Sequence, residues 1–86
     1  MSNLRTGRQL QAARVLAGYD REQMSKAAGI SSPTLRRLEQ QAKISAHTRT
    51  VDALEHALAK AGVVLLNGDA PGVRLRPEAS KALAGG

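Results

Sequence analysis

Three glycines divide the first 62 residues of the chain into short segments, and each glycine follows a stretch in which apolar residues recur every three or four positions. Gly18, Gly29 and Gly62 are each placed to end a helix, because glycine adopts the left-handed backbone found just beyond a helix C-terminus. The spacing predicts short amphipathic helices joined by tight turns. After Gly62 the helical spacing ends, and the following segments are rich in residues that favour β-strands.

Four helices are predicted, over residues 7–17, 21–28, 33–40 and 46–61. Asp20 and Gln23 have the spacing of a capping box before the second helix. Ser32 is the preferred cap of the third helix, with Pro33 as its first residue, and a boundary one residue earlier stays open. Ser45 is expected to cap the fourth helix. The large core positions expected from the periodicity are Leu10, Met24, Leu35, Leu38, Leu54 and Leu58, and smaller side chains at Ala13, Ala17, Ala28, Val51, Ala57 and Ala61 are expected to face inward with them.

Residues 62–76 are predicted to form a β-hairpin, because two β-prone segments flank a link rich in turn residues. Side chains alternate between the faces of a strand, so residues 63–66 are apolar on both faces, whereas the partner strand is apolar on one. An isolated hairpin is marginal in water. We therefore expect one face to pack on the helices and the other to meet a second subunit; packing on the monomer alone is the alternative. The predicted dimer interface consists of Val64, Leu66, Val73 and Leu75.

The length of the chain limits it to one domain with one modest core, since 86 residues are too few for two. Residues 1–6 are expected to form a flexible arm and residues 77–86 a mobile tail. The helical domain would then span residues 7–61, with the hairpin attached to its end.

The composition excludes several classes of function. The chain has no cysteine and only two histidines, so disulfides, a cysteine nucleophile and a structural zinc site are excluded, and we expect no metal or cofactor. No paired carboxylates, phosphate loop or nucleophile–histidine arrangement indicates an enzyme. Tyr19, the single aromatic residue, is expected in the core, which argues against stacking on single-stranded RNA. Without a signal peptide or a membrane-spanning apolar stretch, a cytoplasmic protein that binds no membrane is expected.

The net charge of +6 is unevenly distributed along the chain. Residues 1–43 hold eight basic and three acidic side chains, whereas basic and acidic side chains nearly balance in the rest. A basic half beside a neutral half suggests a binding surface for a polyanion. A solvated surface rich in arginine is the alternative, and charge alone does not distinguish the two.

Residues 20–39, DREQMSKAAGISSPTLRRLE, have the pattern of a helix-turn-helix. Two short helices are joined through Gly29, and the second has serines at its start, beside backbone amides that attract phosphate. Leu35 and Leu38 would hold this second helix to the body, while Arg36 and Arg37 extend from its exposed side.

Together with the preceding Gly18 and Tyr19, this stretch resembles the Cro and lambda-repressor-like (XRE) helix-turn-helix family, and the resemblance covers residues 7–61. It implies a mainly α fold: a four-helix lambda-repressor-like DNA-binding domain, here with a C-terminal two-stranded β-hairpin. The recognition helix would lie at residues 32–40. The resemblance also implies an ion pair between Arg14 and Glu39. The chain departs from the family at Pro33, which lacks a side-chain hydrogen-bonding group, and at Ser25, where relatives usually carry alanine.

The resemblance and the helix positions together suggest a role for individual side chains. Arg37 is the leading candidate to read guanine, because arginine to guanine is the commonest specific contact; a phosphate contact is its alternative. Arg36 lies next to Arg37 around the helix, and it is better placed to contact phosphate or to remain a solvated charge. The candidates for base contact are Ser32, Pro33, Thr34, Arg36 and Arg37, and those for phosphate contact are Arg21, Ser31, Lys43 and Arg49.

The resemblance implies a sequence-specific regulator of transcription, more commonly a repressor, that binds an inverted repeat in double-stranded DNA as a homodimer. A second hypothesis is an antitoxin-like module that binds a protein partner and regulates its own gene by binding DNA. The hairpin or the tail after Pro77 would then hold the partner. A neighbouring toxin gene or a copurifying protein would favour the second hypothesis.

Overall fold

Within residues 3–67 and 69–78, the part of the chain that this computed structural model describes, four helices precede one antiparallel hairpin. The elements are α1 (Gly7–Leu16), α2 (Arg21–Ala28), α3 (Ser32–Glu39), α4 (Thr48–Lys60), β1 (Val63–Leu66) and β2 (Gly72–Leu75). The predicted fold class, mainly α with a C-terminal hairpin, is confirmed. Residues 79–86 of the predicted mobile tail lie outside the described residues.

Short polar side chains cap the first three helices. Each accepts a hydrogen bond from a backbone N–H group that has no partner within the helix. Thr6 accepts the Gln9 N–H at 3.0 Å, and Asp20 forms the predicted capping box with Gln23. Ser31, rather than Ser32, caps α3, so that helix begins one residue earlier than the preferred prediction.

The predicted cap of α4 was wrong. That helix begins at Thr48, and its N-cap residue, His47, makes no side-chain capping bond. Ser45 lies in the preceding loop, where its N–H donates to Gln41 Oε1 at 2.7 Å. Packing of Ile44 on the core, together with the bond from its N–H to the Arg5 carbonyl at 2.9 Å, holds this loop in a non-helical path. Because of these tertiary contacts, α4 begins at Thr48 and not at residue 46 as predicted.

The turn between α2 and α3 depends on Gly29, whose φ of 71° lies in the left-handed region. Its N–H donates to the Lys26 carbonyl, and the next N–H, from Ile30, donates to the Ser25 carbonyl. These bonds close α2 and turn the chain within two residues into the cap of α3. The predicted role of Gly29 as the pivot of the motif is confirmed.

Six large side chains that are fully buried form the centre of the core, and all six are among the core positions that the periodicity predicted. They are Leu10, Met24, Leu35, Leu38, Leu54 and Leu58. Every helix contributes at least one of them, so the core joins all four. Tyr19 packs partly buried against this core, as expected from the sequence.

Residues 3–6 pack on the body of the domain, where the sequence predicted a flexible arm. Leu4 is 4% exposed, and the Arg5 N–H donates to Gln9 Oε1 at 2.8 Å. Gly7 allows this approach, because a Cβ at that position would lie 2.4 Å from the Glu39 carbonyl oxygen. The start of α1 therefore lies directly against the end of α3.

The hairpin register divides the predicted dimer interface between two faces. Val63 pairs with Leu75 and Leu65 with Val73, so these four side chains share the face that packs on the core. Val64 and Leu66 lie on the opposite face, and Leu66 is 39% exposed. The prediction that placed all four interface residues on one surface therefore needs correction. Val64 and Leu66 remain on the outer face.

A buried ion pair joins α1 to α3. Arg14 Nε donates to Glu39 Oε2 at 2.7 Å, and the side chains are 10% and 2% exposed. Arg14 Nη1 also donates to the Tyr19 carbonyl at 3.0 Å, which ties the pair to the turn before α2. The ion pair that the family resemblance implied is confirmed.

We expect Glu39→Gln to lower the free energy of unfolding by about 3 kcal/mol or more, because it leaves the Arg14 guanidinium buried without its counter-charge. Urea denaturation followed by circular dichroism measures this loss. Asp52→Asn, the same chemical change at an exposed site on α4, is the matched control and should shift stability by no more than about 0.5 kcal/mol. Equal stability of the Glu39→Gln variant and the wild type would contradict a structural role for the pair.

Candidate nucleic-acid interface

Helix α3 has one buried side and one exposed side, separated by its helical periodicity. Leu35, Leu38 and Glu39 are buried. The opposite side presents Pro33 and Arg37, one turn apart, and both are exposed. Because the buried leucines have no exposed surface, the orientation of α3 on the body is fixed, and so is the direction in which its outer side chains point.

One open depression on the surface is lined by five side chains that the sequence predicted to contact DNA, and by Gln40. The five are Arg21, Ser32, Pro33, Arg36 and Arg37. The structure therefore brings four of the five predicted base-contacting residues together. It adds Arg21 from the start of α2, which was predicted to contact phosphate.

Thr34 is the predicted base-contacting residue that this depression does not include. It is half-buried, and its Oγ1 accepts a hydrogen bond from Ser31 Oγ at 2.8 Å. Ser31 in turn accepts the Thr34 N–H at 3.2 Å. These two side chains stabilise the first turn of α3 and lie at its N-terminal end.

Arg21 connects the exposed depression with the buried ion pair. Its Nε donates to Glu39 Oε1 at 3.3 Å, while its side chain remains 45% exposed. A guanidinium carries five N–H donors, so several are left to face outward after this bond. Glu39 thus holds Arg21 in place beside α3 without covering its charge.

Lys43 and Arg49 lie outside the depression, on the loop after α3 and in the first turn of α4. Both are exposed. Their loop is fixed by the bond from the Gly7 N–H to the Gln41 carbonyl at 2.9 Å and by the packing of Ile44. Their backbone is therefore held in place, while their long cationic side chains extend into solvent.

Two residues of the site were not among the sequence candidates. Gln40, the C-cap of α3, lines the depression three residues after Arg37 and seven after Pro33, a spacing that returns to the same side of a helix. Ser25 is 4% exposed and lies directly beneath Ser32, to which it is hydrogen-bonded. Helical periodicity contained the signal for Gln40, whereas the contact between Ser25 and Ser32 exists only in the folded protein.

No group of three or more histidine and carboxylate side chains in the described part of the chain is placed to hold a metal ion. Among the described helices, none has the length and apolar character needed to cross a membrane.

A family model described as helix-turn-helix matches residues 10–62, which is more than half of the chain. The search of curated proteins found no match to the chain. The family match contains the capped α2, the turn at Gly29, and α3 with its outward arginines. The chain belongs to this family, the Cro-type XRE helix-turn-helix proteins, and is a DNA-binding regulator of transcription.

Proposed function

We propose that the protein represses transcription by binding an inverted-repeat operator as a homodimer, with α3 inserted in the major groove. The observation that carries this proposal is the exposed side of α3, where arginines stand out from a helix that is held rigidly on its other side. An α-helix with its side chains is about 10–12 Å in diameter, which fits the width of the major groove, about 12 Å.

Arg37 is proposed as the principal base reader. It is exposed, lies opposite the buried leucines of α3, and shares the depression with Pro33 and Gln40. Its guanidinium fork fits the two acceptors of guanine in the major groove. Arg36 lies closer to the edge of the exposed side and is proposed to contact phosphate.

Phosphate contacts are proposed on both sides of α3. The capped N-terminus at Ser31 lies at one end, Arg21 lies beside α3 with its Nε bonded to Glu39, and Lys43 and Arg49 follow the C-terminal end. Because the chain at each of these positions is anchored to the body, the backbone holds these side chains in a fixed order around the recognition helix. Such contacts set the register of a protein on DNA without reading its sequence.

The outer face of the hairpin is proposed as the dimer interface. Val64 and Leu66 lie on this face, and Leu66 is one of two large apolar side chains exposed on the described surface, the other being Val15. The hairpin is held to α1 by Gln9, whose Nε2 donates to the carbonyls of Leu66 and Gly72 at 3.3 and 3.2 Å. The molecule extends 35 by 31 Å along its longer axes, so two copies side by side fit half-sites about 34 Å apart.

We expect affinity for DNA to fall steeply with salt, and Lys43→Ala to flatten that dependence. Each phosphate contact contributes about 0.9 to the slope of log affinity against log salt concentration. Loss of one contact should therefore reduce the slope by about that amount and weaken specific and random DNA alike. Fluorescence anisotropy over a salt series measures this.

Lys60→Ala is the matched control for that experiment. It removes the same charge at the far end of α4, about 18 Å along the helix from its start. The slope should stay at the wild-type value. A slope near zero in the wild-type protein would contradict the proposed interface altogether.

We expect Arg37→Ala to lose discrimination at one base pair of each half-site, at a cost of about 1–3 kcal/mol on the operator. Binding to a panel of single-base operator variants measures the effect. Arg36→Ala is the matched control and should weaken all sequences by a similar factor. Equal losses on operator and random DNA for Arg37→Ala would make Arg37 a phosphate contact instead.

We expect Leu66→Glu to separate the dimer while the helices stay folded, because Leu66 lies on the outer face and outside the core. Sedimentation velocity and circular dichroism on the same sample measure the two properties. Val15→Glu is the matched control, since Val15 is 62% exposed and lies on α1. A dimer that survives Leu66→Glu and separates with Val15→Glu would place the interface on α1.

A further inference from the structure

Two serine hydroxyl groups connect the interior of α2 to the first residue of α3. Ser25 Oγ donates to the Arg21 carbonyl oxygen at 2.7 Å, and Ser32 Oγ donates to Ser25 Oγ at 3.3 Å. Ser25 is buried, and Ser32 is half-buried at the edge of the depression. The chain of bonds therefore runs from a backbone carbonyl outward to a side chain of the proposed DNA surface.

The direction of these bonds follows from the group at the inner end. A carbonyl oxygen can only accept, so the single proton of Ser25 points to Arg21. Ser25 Oγ then has no proton left for Ser32 and can only accept from it. The proton of Ser32 is consequently turned inward, and its oxygen presents only lone pairs to the outside.

A serine without such a partner would not discriminate in this way. Its hydroxyl rotates and either donates or accepts, so serine can bond to donors and acceptors alike on a base edge. In the major groove adenine and cytosine present an exocyclic amino group, a donor, whereas guanine and thymine present carbonyl acceptors. An oxygen that only accepts favours the amino groups.

We propose that Ser25 is a positioning residue that makes Ser32 an acceptor, so that the base facing Ser32 is selected as adenine or cytosine. This inference rests on the proposed function, because it requires α3 to read the major groove. It assigns a role in specificity to a buried side chain that does not itself touch the DNA.

The test compares Ser25→Ala and Ser32→Ala with the wild type, using the operator selected from random DNA and its single-base variants. Ser32→Ala identifies the base pair that faces Ser32, because preference disappears there. Ser25→Ala removes one oxygen from a small buried side chain, and a circular dichroism melt checks that the fold is kept.

The two variants should lose preference at that base pair in opposite ways. With Ser25→Ala, binding to the guanine and thymine variants should improve about three- to tenfold, the range for one hydrogen bond, while binding to the preferred base stays close to wild type. With Ser32→Ala, binding to the preferred base should fall instead. A loss of structural support alone would weaken all variants together and would not produce this gain.

Several results would overturn the inference while leaving the proposed function in place. They are a wild-type preference for guanine or thymine at that base pair, an unchanged base profile in Ser25→Ala, and a Ser32→Ala variant with no altered position. A wild-type protein that selects no DNA sequence would overturn the proposed function and this inference with it.

Discussion

The buried ion pair between Arg14 and Glu39 is the interaction on which the arrangement of the helix-turn-helix depends. A charge enclosed in the interior is tolerated only with a well-placed counter-charge, so α1 and α3 are held in one relative position. Arg14 also bonds to the Tyr19 carbonyl, and Glu39 also accepts from Arg21. One pair of side chains thus connects the first three helices, and no buried side-chain polar atom in the described residues lacks a partner.

This arrangement makes the outer side of α3 a rigid surface. Leu35 and Leu38 hold the helix by packing, and Glu39 holds it by charge. Arg21 shares Glu39 and remains half exposed, so the network that stabilises the interior also positions a cation beside α3. The hydrogen bond between Ser25 and Ser32 extends the same principle, because the buried Ser25 orients the hydroxyl of the half-buried Ser32 in the proposed interface.

The hairpin adds a second surface whose character depends on its register. Pairing Val63 with Leu75 and Leu65 with Val73 buries one face against the helices. The outer face then keeps Val64 and Leu66, with Arg74 opposite Val64. A shift of one residue would exchange the two faces. Gln9 stabilises the observed position by bonding to backbone carbonyls on both strands.

The sequence by itself determined the features that depend on near neighbours along the chain. Helical periodicity, the capping box at Asp20 and the turn at Gly29 predicted the helices, the six large core side chains and the exposed side of α3. Only the tertiary structure decided the features that depend on distant neighbours. The Arg5 carbonyl and the core hold the loop before α4, strand register separates Val73 from Leu66, and packing of α2 on α3 places Ser25 beneath Ser32. Local propensity carries no information about such contacts, because the partner residues meet only when the chain is folded.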